Sequence, residues 1–434
     1  MKSLWDQSIK IPDFPPLYGD FRTEVLIIGG GITGLLCGHF LKDAGISCTI
    51  IDAGKICQGV THNTTAKITV QHGLIYHKLI SKFGAERARL FFDAQNQALE
   101  MYRSLSANID CDFEEKDAFV YSRNSRIEIE QEANALRKLG SPAVFAENIN
   151  LPFRIKGAVR VPKQAQFHPL KFLYSIAKDL QIYENTRALE FLPGEVITDK
   201  GKIKAEKIIV ATHFPFINNH GAYFLKLYQH RSYVLALKNA PDVRGMYVDA
   251  SLRGLSFRTS GNLLLLGGGG HRTGKQGGNW IELTEFAKTY YHGAVEVARW
   301  STQDCISLDG IPYIGQYARN TPNLYTATGF NKWGMTNAMV AATILRDMVL
   351  EKHNDFAGVF APNRPILHPQ LGINVIESLI GLITPTSPRC PHLGCALKYN
   401  KFEHSWDCPC HGSRFSEKGK VLDNPANGDK KISG

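Results

Sequence analysis

The 434-residue chain predicts an α/β fold with a second, antiparallel sheet and a small β/loop module in its last part. Three observations predict it. Val25 to Ile28 is a short aliphatic run that leads into glycines and then into helical spacing, the order of a buried parallel strand turning into a helix. Segments around 231–237, 245–248, 255–258 and 262–267 are short and β-rich, as an antiparallel sheet requires. From Cys390 onward the chain holds two cysteine–histidine boxes and little else.

The opening MKSLWDQSIKIPDFPPL has no apolar stretch of the signal-peptide kind. After the first strand, Gly29, Gly31 and Gly34 complete Gly-x-Gly-x-x-Gly, and Leu35, Leu36, Phe40 and Leu41 keep helical spacing up to Gly45. A second strand, Cys48 to Ile51, ends on Asp52. Strand, glycine turn, helix, strand and acid form the Rossmann-like unit of dinucleotide binding. The glycines let a pyrophosphate approach the helix N-terminus, and the acid meets a ribose hydroxyl. Amphipathic spacing through Leu79, Phe83, Ala88, Phe92 and Leu99 predicts helix, and Phe113 to Tyr121 a strand entering the second sheet. The stretch Gln164 to Lys171 opens another helix, and Ile208 to His213 returns as a strand beneath the nucleotide. Beyond residue 350, Pro362, Pro365, Pro369, Pro385 and Pro388 mark a connector. Within it Leu371 to Ile383 is apolar but short, and it reads as a packed helix rather than an anchor.

A second fingerprint lies at Ser307-Leu-Asp-Gly-Ile-Pro-Tyr-Ile-Gly315 and Asn323 to Thr336, followed by a helix to about Leu350. Together with the glycine turn, Gly59 to Lys67 and Ile208 to His213, it resembles the D-amino-acid-oxidase-like flavoproteins. The resemblance spans roughly residues 22–350 and implies FAD. It implies cofactor contacts at Thr61, Thr65 and Lys67, and at Gly329, Gly334, Met335 and Thr336. A positive helix end there would stabilise the charge on reduced flavin. It also implies interleaved regions: FAD-binding at about 22–80, 150–215 and 300–350, and substrate at about 81–149 and 216–299, all within 1–351. A connector follows at 352–388, and the tail module occupies 389–434. Such enzymes take hydride from carbon beside an amine or hydroxyl, so no catalytic dyad is required. Candidates for the substrate end are Arg231 with Tyr233, Arg258 and Lys332, with His168 and His230 as further pocket residues. Cys305 is a candidate for covalent flavin attachment.

In the tail, Cys390-Pro-His392-Leu-Gly-Cys395 and Cys408-Pro-Cys410-His411-Gly-Ser413 each pair a thiolate with an imidazole, with fifteen residues between His392 and Cys408. Structural zinc is the ordinary reading of four such ligands, but zinc knuckles usually repeat one ligand type per pair. Mixed pairs suit a 2Fe–2S cluster with two cysteines on one iron and two histidines on the other. The boxes resemble those of the Rieske proteins of cytochrome bc-type complexes. The resemblance implies Cys390, His392, Cys408 and His411 as ligands and a Cys395–Cys410 disulfide. It also implies a hydrogen bond from Ser413 to a cluster sulfur and a shielding loop at Asn424-Pro425-Ala426. Phe415 replaces a frequent tyrosine, which should lower the potential. The module is too short to fold alone and should pack on the flavoprotein body.

Apolar residues make up 44% and charged residues 21% of the chain, the balance of an ordinary globular protein. The net charge of +10 is scattered, with no basic run to suggest nucleic acid, and no segment is long and apolar enough to span a membrane. Nine cysteines, four of them committed to a cluster, suit a reducing cytoplasm. The expectation is an FAD-dependent oxidoreductase that oxidises a small amine, amino acid or hydroxy compound and exchanges electrons with the cluster. An external carrier would dock at exposed His392 or His411. The alternative is an electron-transfer protein between protein partners, with no substrate of its own.

Overall fold

The computed structural model describes residues 3–431 apart from 8, 252, 276, 278, 366, 386 and 387, so residues 432–434 of the expected tail module lie outside it. Three sheets form among the described residues. The first runs Tyr313–Gln316, Leu324–Thr328, Lys202–Val210, Phe21–Ile28, Cys48–Ile51, Gln181–Tyr183, and the hairpin Ala188–Leu192 with Glu195–Thr198 extends it. Its central ladders are parallel, Val25 to Ile28 lying opposite Cys48 to Ile51 on one side and Lys207 to Val210 on the other. Val25 and Ile27 enter a core with the helices Ile32–Asp43 and Gly334–Val349, while Leu26 and Ile28 enter a second core on the opposite face. A strand buried on both faces cannot alternate, which explains its unbroken apolar run.

The second sheet has nine strands, with Leu227–Lys238 between the edge strand Val295–Ser307 and Leu263–Arg272. It is antiparallel except where Met246–Asp249 runs parallel to Glu114–Ser122. The third sheet is a four-strand meander, Lys398–Asn400 to Val421–Asp423. Its own core is Cys390, Cys395, Leu397, Cys408, Cys410, Phe415 and Ala426. So small a core cannot hold the module, and it is docked on the body.

The connector region contains the helices Ala357–Phe360 and Pro369–Ile383. The second is wedged between the body and the tail by its polar side. Asn374 is 1% exposed and donates to Leu225 O at 3.0 Å, and Glu377 pairs with Lys275 at 2.5 Å. A Cβ on Gly381 would collide with Cys410 Sγ, so only glycine allows this approach. The packed helix expected here is present, but it packs by the wrong side: its aliphatic residues face out.

Candidate functional site

The turn after the first strand is built by close contacts. Gly29 has φ +113°, and a Cβ there would meet Ala211 O at 2.6 Å; a Cβ on Gly34 would overlap Gly29 O. Gly31 opens the helix Ile32–Asp43 with no side-chain cap, while Thr61 Oγ accepts from Ile32 N at 3.1 Å. Free helical amides at a glycine cradle suit a phosphate. The Asp52 carboxylate accepts from Gly30 N and Gly54 N, each at 2.8 Å, and so fixes the loop. Burial raises its pKa against those two amides. Each oxygen retains acceptor capacity for a ribose hydroxyl.

A cavity of about 710 Å³ extends from this turn to the second fingerprint. Of the expected cofactor residues, Gly31, Thr61, Thr65, Lys67, Gly329, Gly334 and Met335 line it, and Gly29, Gly34 and Asp52 do not. Thr336 is turned away: its hydroxyl lies 2.9 Å from His72 Nε2, and His72 stacks on Trp333 with centroids 5.1 Å apart. The helix Gly334–Val349 also starts uncapped at the cavity. Asn331 staples the fingerprint, accepting from Ser307 N at 2.9 Å and donating to Gly310 O at 3.0 Å and Gly329 O at 2.7 Å. Two uncapped helix ends on one elongated cavity, one at a glycine cradle, fit a dinucleotide-sized anionic cofactor.

The cavity wall carries Lys67 and Lys332. Burial, aided by Arg258, pushes Lys67 down to about 7. Burial also lowers Lys332, opposed by Asp304, and its Nζ lies 3.1 Å from Ser232 Oγ. Asp304 lines the cavity beside it and is raised by burial against Lys332 and His213. No sequence motif singled out Asp304. It sits in a strand whose inward residues cannot be told from its outward ones by type.

The structure places three of the substrate-end candidates in different surroundings. Arg231 lies outside the cavity. Its guanidinium forms a close ion pair with Glu403 of the tail and reaches Ser301, with side chains 3% and 6% exposed for the pair. Tyr233 lines the cavity, but its hydroxyl donates to Glu403 at 2.9 Å. Arg258 is buried outside the cavity, donating to Thr65 O at 2.7 Å and Ala66 O at 2.8 Å, and so positions the Thr61–Lys67 segment. Of the histidines, His168 caps the helix Pro169–Ala177 through Lys171 N at 3.2 Å. His230 is buried in the strand Leu227–Lys238 and does not line the cavity. Cys305 lines the cavity 3.6 Å from Thr328 Oγ, and burial pushes its thiol up to about 12.

At the tail, the imidazoles of His392 and His411 sit with centroids 4.9 Å apart at 81°. Both Nδ1 atoms are buried and, among the described residues, without a hydrogen-bond partner. Each Nε2 is engaged from outside the tail: His392 with Asn218 Oδ1 of the body at 2.8 Å, His411 with Ser378 Oγ of the connector helix at 3.4 Å. A carbonyl oxygen at Nε2 holds the proton there and leaves Nδ1 bare, the state a metal requires. Burial, with His411 adding to it, drives His392 down to about 3 and keeps it neutral. Cys390 and Cys408 are buried beside them on loops closed by Cys390 N to Cys395 O and Cys408 N to Ser413 O, both 2.8 Å. These donors fit a mixed-ligand cluster. Ser413 Oγ accepts from Ala426 N at 3.0 Å, and its side chain also hydrogen-bonds to the ligand Cys390.

Two expectations fail at the tail. Cys395 and Cys410 are free thiols, so the implied disulfide is not formed. Their sulfurs and that of Cys408 lie within 4.8 Å of one another, and the helix Pro369–Ile383 with the loop hydrogen bonds supplies the clasp. The expected exposure of the histidines also fails for His411, while His392 is half-buried. His411 is 2% exposed, and both rings face the body because Phe214 and Phe224 pack against them at 6.3 and 6.1 Å.

The cavity and the tail therefore share a wall. Ala211 and His213 line the cavity, and Phe214, next in the chain, touches His392. Asn424 donates to Thr212 O and Phe214 O, and Gln303 donates to Gly412 O at 2.8 Å. Asn218, Phe214 and Gln303 carried no sequence signal, since nothing local to them marks a contact with the tail.

Comparison with known proteins matches this arrangement. The family model of FAD dependent oxidoreductases (DAO) matches residues 24–348, and that of the Rieske [2Fe-2S] domain matches 373–432. A Bacillus subtilis (strain 168) protein named as a Rieske 2Fe-2S iron-sulfur protein, YhfW, is 34% identical over 98% of this chain and 96% of its own. In fold, the chain is similar to glycine oxidase from Geobacillus kaustophilus, with TM-score 0.67 and 20% identity over 80% of this chain and 100% of that one. L-proline dehydrogenase from P. horikoshii is similar as well, with TM-score 0.67 and 16% identity over 80% of this chain and 98% of that one. The chain is an enzyme of the DAO family of FAD-dependent oxidoreductases, with FAD as its cofactor and a Rieske domain holding a 2Fe–2S cluster.

Proposed function

We propose that the chain oxidises a small amine-bearing substrate in the 710 Å³ cavity and that its flavin and Rieske sites exchange electrons within the one polypeptide. The shared wall at residues 211–214 carries this reading, because one stretch of backbone faces the cavity on one side and His392 on the other. When bound, FAD supplies hydride acceptance and the cluster supplies one-electron storage. Cys390, His392, Cys408 and His411 hold the cluster. The two helix N-termini and the glycine turn hold the FAD. Lys332 sets positive charge beside Asp304, and Lys67, poised near neutrality, supplies a cation for a substrate carboxylate. Glycine and proline in the names of two fold relatives support an amino-acid-like substrate, and the loss of Arg231 to the tail leaves the lysines to bind it.

Anaerobic addition of glycine, proline and related secondary amines to the holoenzyme tests the reading, with flavin and cluster absorbance followed together. A substrate should bleach the flavin band and then the cluster band. Flavin bleaching with a persistently oxidised cluster for every substrate would refute the exchange.

A further inference from the structure

We propose that the outer face of the helix Pro369–Ile383 seats on an anionic lipid bilayer surface. The helix has inverted polarity. Its exposed positions are Pro369, Gly372 and six aliphatics: Ile373 (48%), Ile376 (57%), Leu379 (56%), Ile380 (49%), Leu382 (46%) and Ile383 (77%). They expose the equivalent of about three whole aliphatic residues in one row, which a free surface does not ordinarily carry. Inward, Asn374 bonds to Leu225 O and Arg272, Ser378 to His411 and Glu377 to Lys275. These partners lock the rotation of the helix, so the aliphatic row cannot turn inward without unpairing buried polar groups. Leu367, 93% exposed, precedes the row, and Leu393 of the first cluster loop, 37% exposed, follows it.

Charge decides the occupant. Arg389 sits on the C-terminal carbonyls of Leu382 and Thr384 at one end of the row, Lys82 lies near the N-cap His368 at the other, and Lys275 cancels the charge of Glu377 on the inner side. Glu377 is the single acid on the helix. Cations around an aliphatic row suit an anionic leaflet, and the net charge of +10 opposes a second copy of the same chain. At fifteen residues the helix is roughly 22 Å long, too short to cross a bilayer, so it lies in the plane of the interface. Gly381 backs onto Cys410, which sets the lipid surface one helix thickness from the cluster loops.

The test is flotation of the holoenzyme with phosphatidylglycerol–phosphatidylcholine vesicles (about 1:2) and with phosphatidylcholine alone. Binding to the anionic vesicles should exceed the neutral ones by about tenfold or more. The exposed pair Ile376→Glu with Ile380→Glu should reduce it by about a hundredfold while flavin and cluster absorbance persist. In a separate variant, Ile380→Trp fluorescence should be quenched by brominated lipid, a readout that does not depend on the double variant folding. The proposal is overturned by absence of flotation with anionic vesicles or by unchanged flotation of the double variant. It is equally overturned by an unquenched tryptophan, or by a dimer that the glutamates convert to monomer with no vesicle binding.

Discussion

Glu403→Ala should detach the Rieske module from the flavoprotein body. Glu403 is one of three tail acids, with Asp407 and Asp423, in a buried network: it meets Arg231 of the strand Leu227–Lys238, Tyr233 Oη at 2.9 Å, Ser301 Oγ at 2.9 Å and Arg414 at 2.7 Å. Two routes give the magnitude. Removing one member of a buried pair typically destabilises by about 3–5 kcal/mol, and Asp423 and Asp407, which stay paired with Arg231 and Arg414, put this variant at the lower end. Independently, burial pushes the Glu403 pKa up but Arg231 and Arg414 overcome it and bring it to about 2, from 4.5. That gap corresponds to about 3 kcal/mol at roughly 1.4 kcal/mol per pH unit, and with a side chain 6% exposed little is lost to screening. The routes agree. In the wild type, guanidinium titration followed by cluster visible CD and by flavin fluorescence should give one coincident transition. In Glu403→Ala the cluster signal should be lost first, at a denaturant concentration lower by an amount equivalent to about 3 kcal/mol. Coincident transitions, with a change below about 1 kcal/mol, would refute the view that this network docks the tail.

The same carboxylate sets an acid limit. Its folded pKa lies below its unfolded value, so its contribution is complete above pH 4.5 and is lost as pH falls toward about 2, where tail docking should weaken. Cluster CD against pH in wild type and Glu403→Gln measures this, and a variant with an unchanged acid profile would contradict it. Gly34→Ala places a Cβ on the Gly29 carbonyl and should destabilise the turn by about 3 kcal/mol or more, so flavin per chain after purification should fall sharply while cluster content holds. Asn218→Ala removes the acceptor at His392 Nε2; with a less electron-rich imidazole the cluster should become easier to reduce, and an EPR-monitored redox titration showing no upward shift would sink that role.

The α/β class, the FAD family and the Rieske module were legible in the chain because their signals are local. The requirement for glycine at 29 and 34 comes from contacts within one strand–turn–helix unit, a few residues apart. Each cysteine–histidine box likewise sets its donors on a single loop. An uncapped helix end after Asn331–Trp333 is also a short-range property.

Tertiary structure alone decided what long or ambiguous side chains meet. Arg231 and Tyr233 have the types a substrate carboxylate would want, and their neighbours in sequence do not reveal that Glu403, far along the chain, claims both. The inward turn of His392 depends on Phe214 and Asn218, from a body segment remote from either box. The helix Pro369–Ile383 shows the same limit in reverse, since its apolar composition reads as core. Periodicity records that a helix has two faces. Which face is buried is set by the polar partners waiting on the surface it meets, here Leu225, Arg272 and His411, and those arrive only when distant segments fold together.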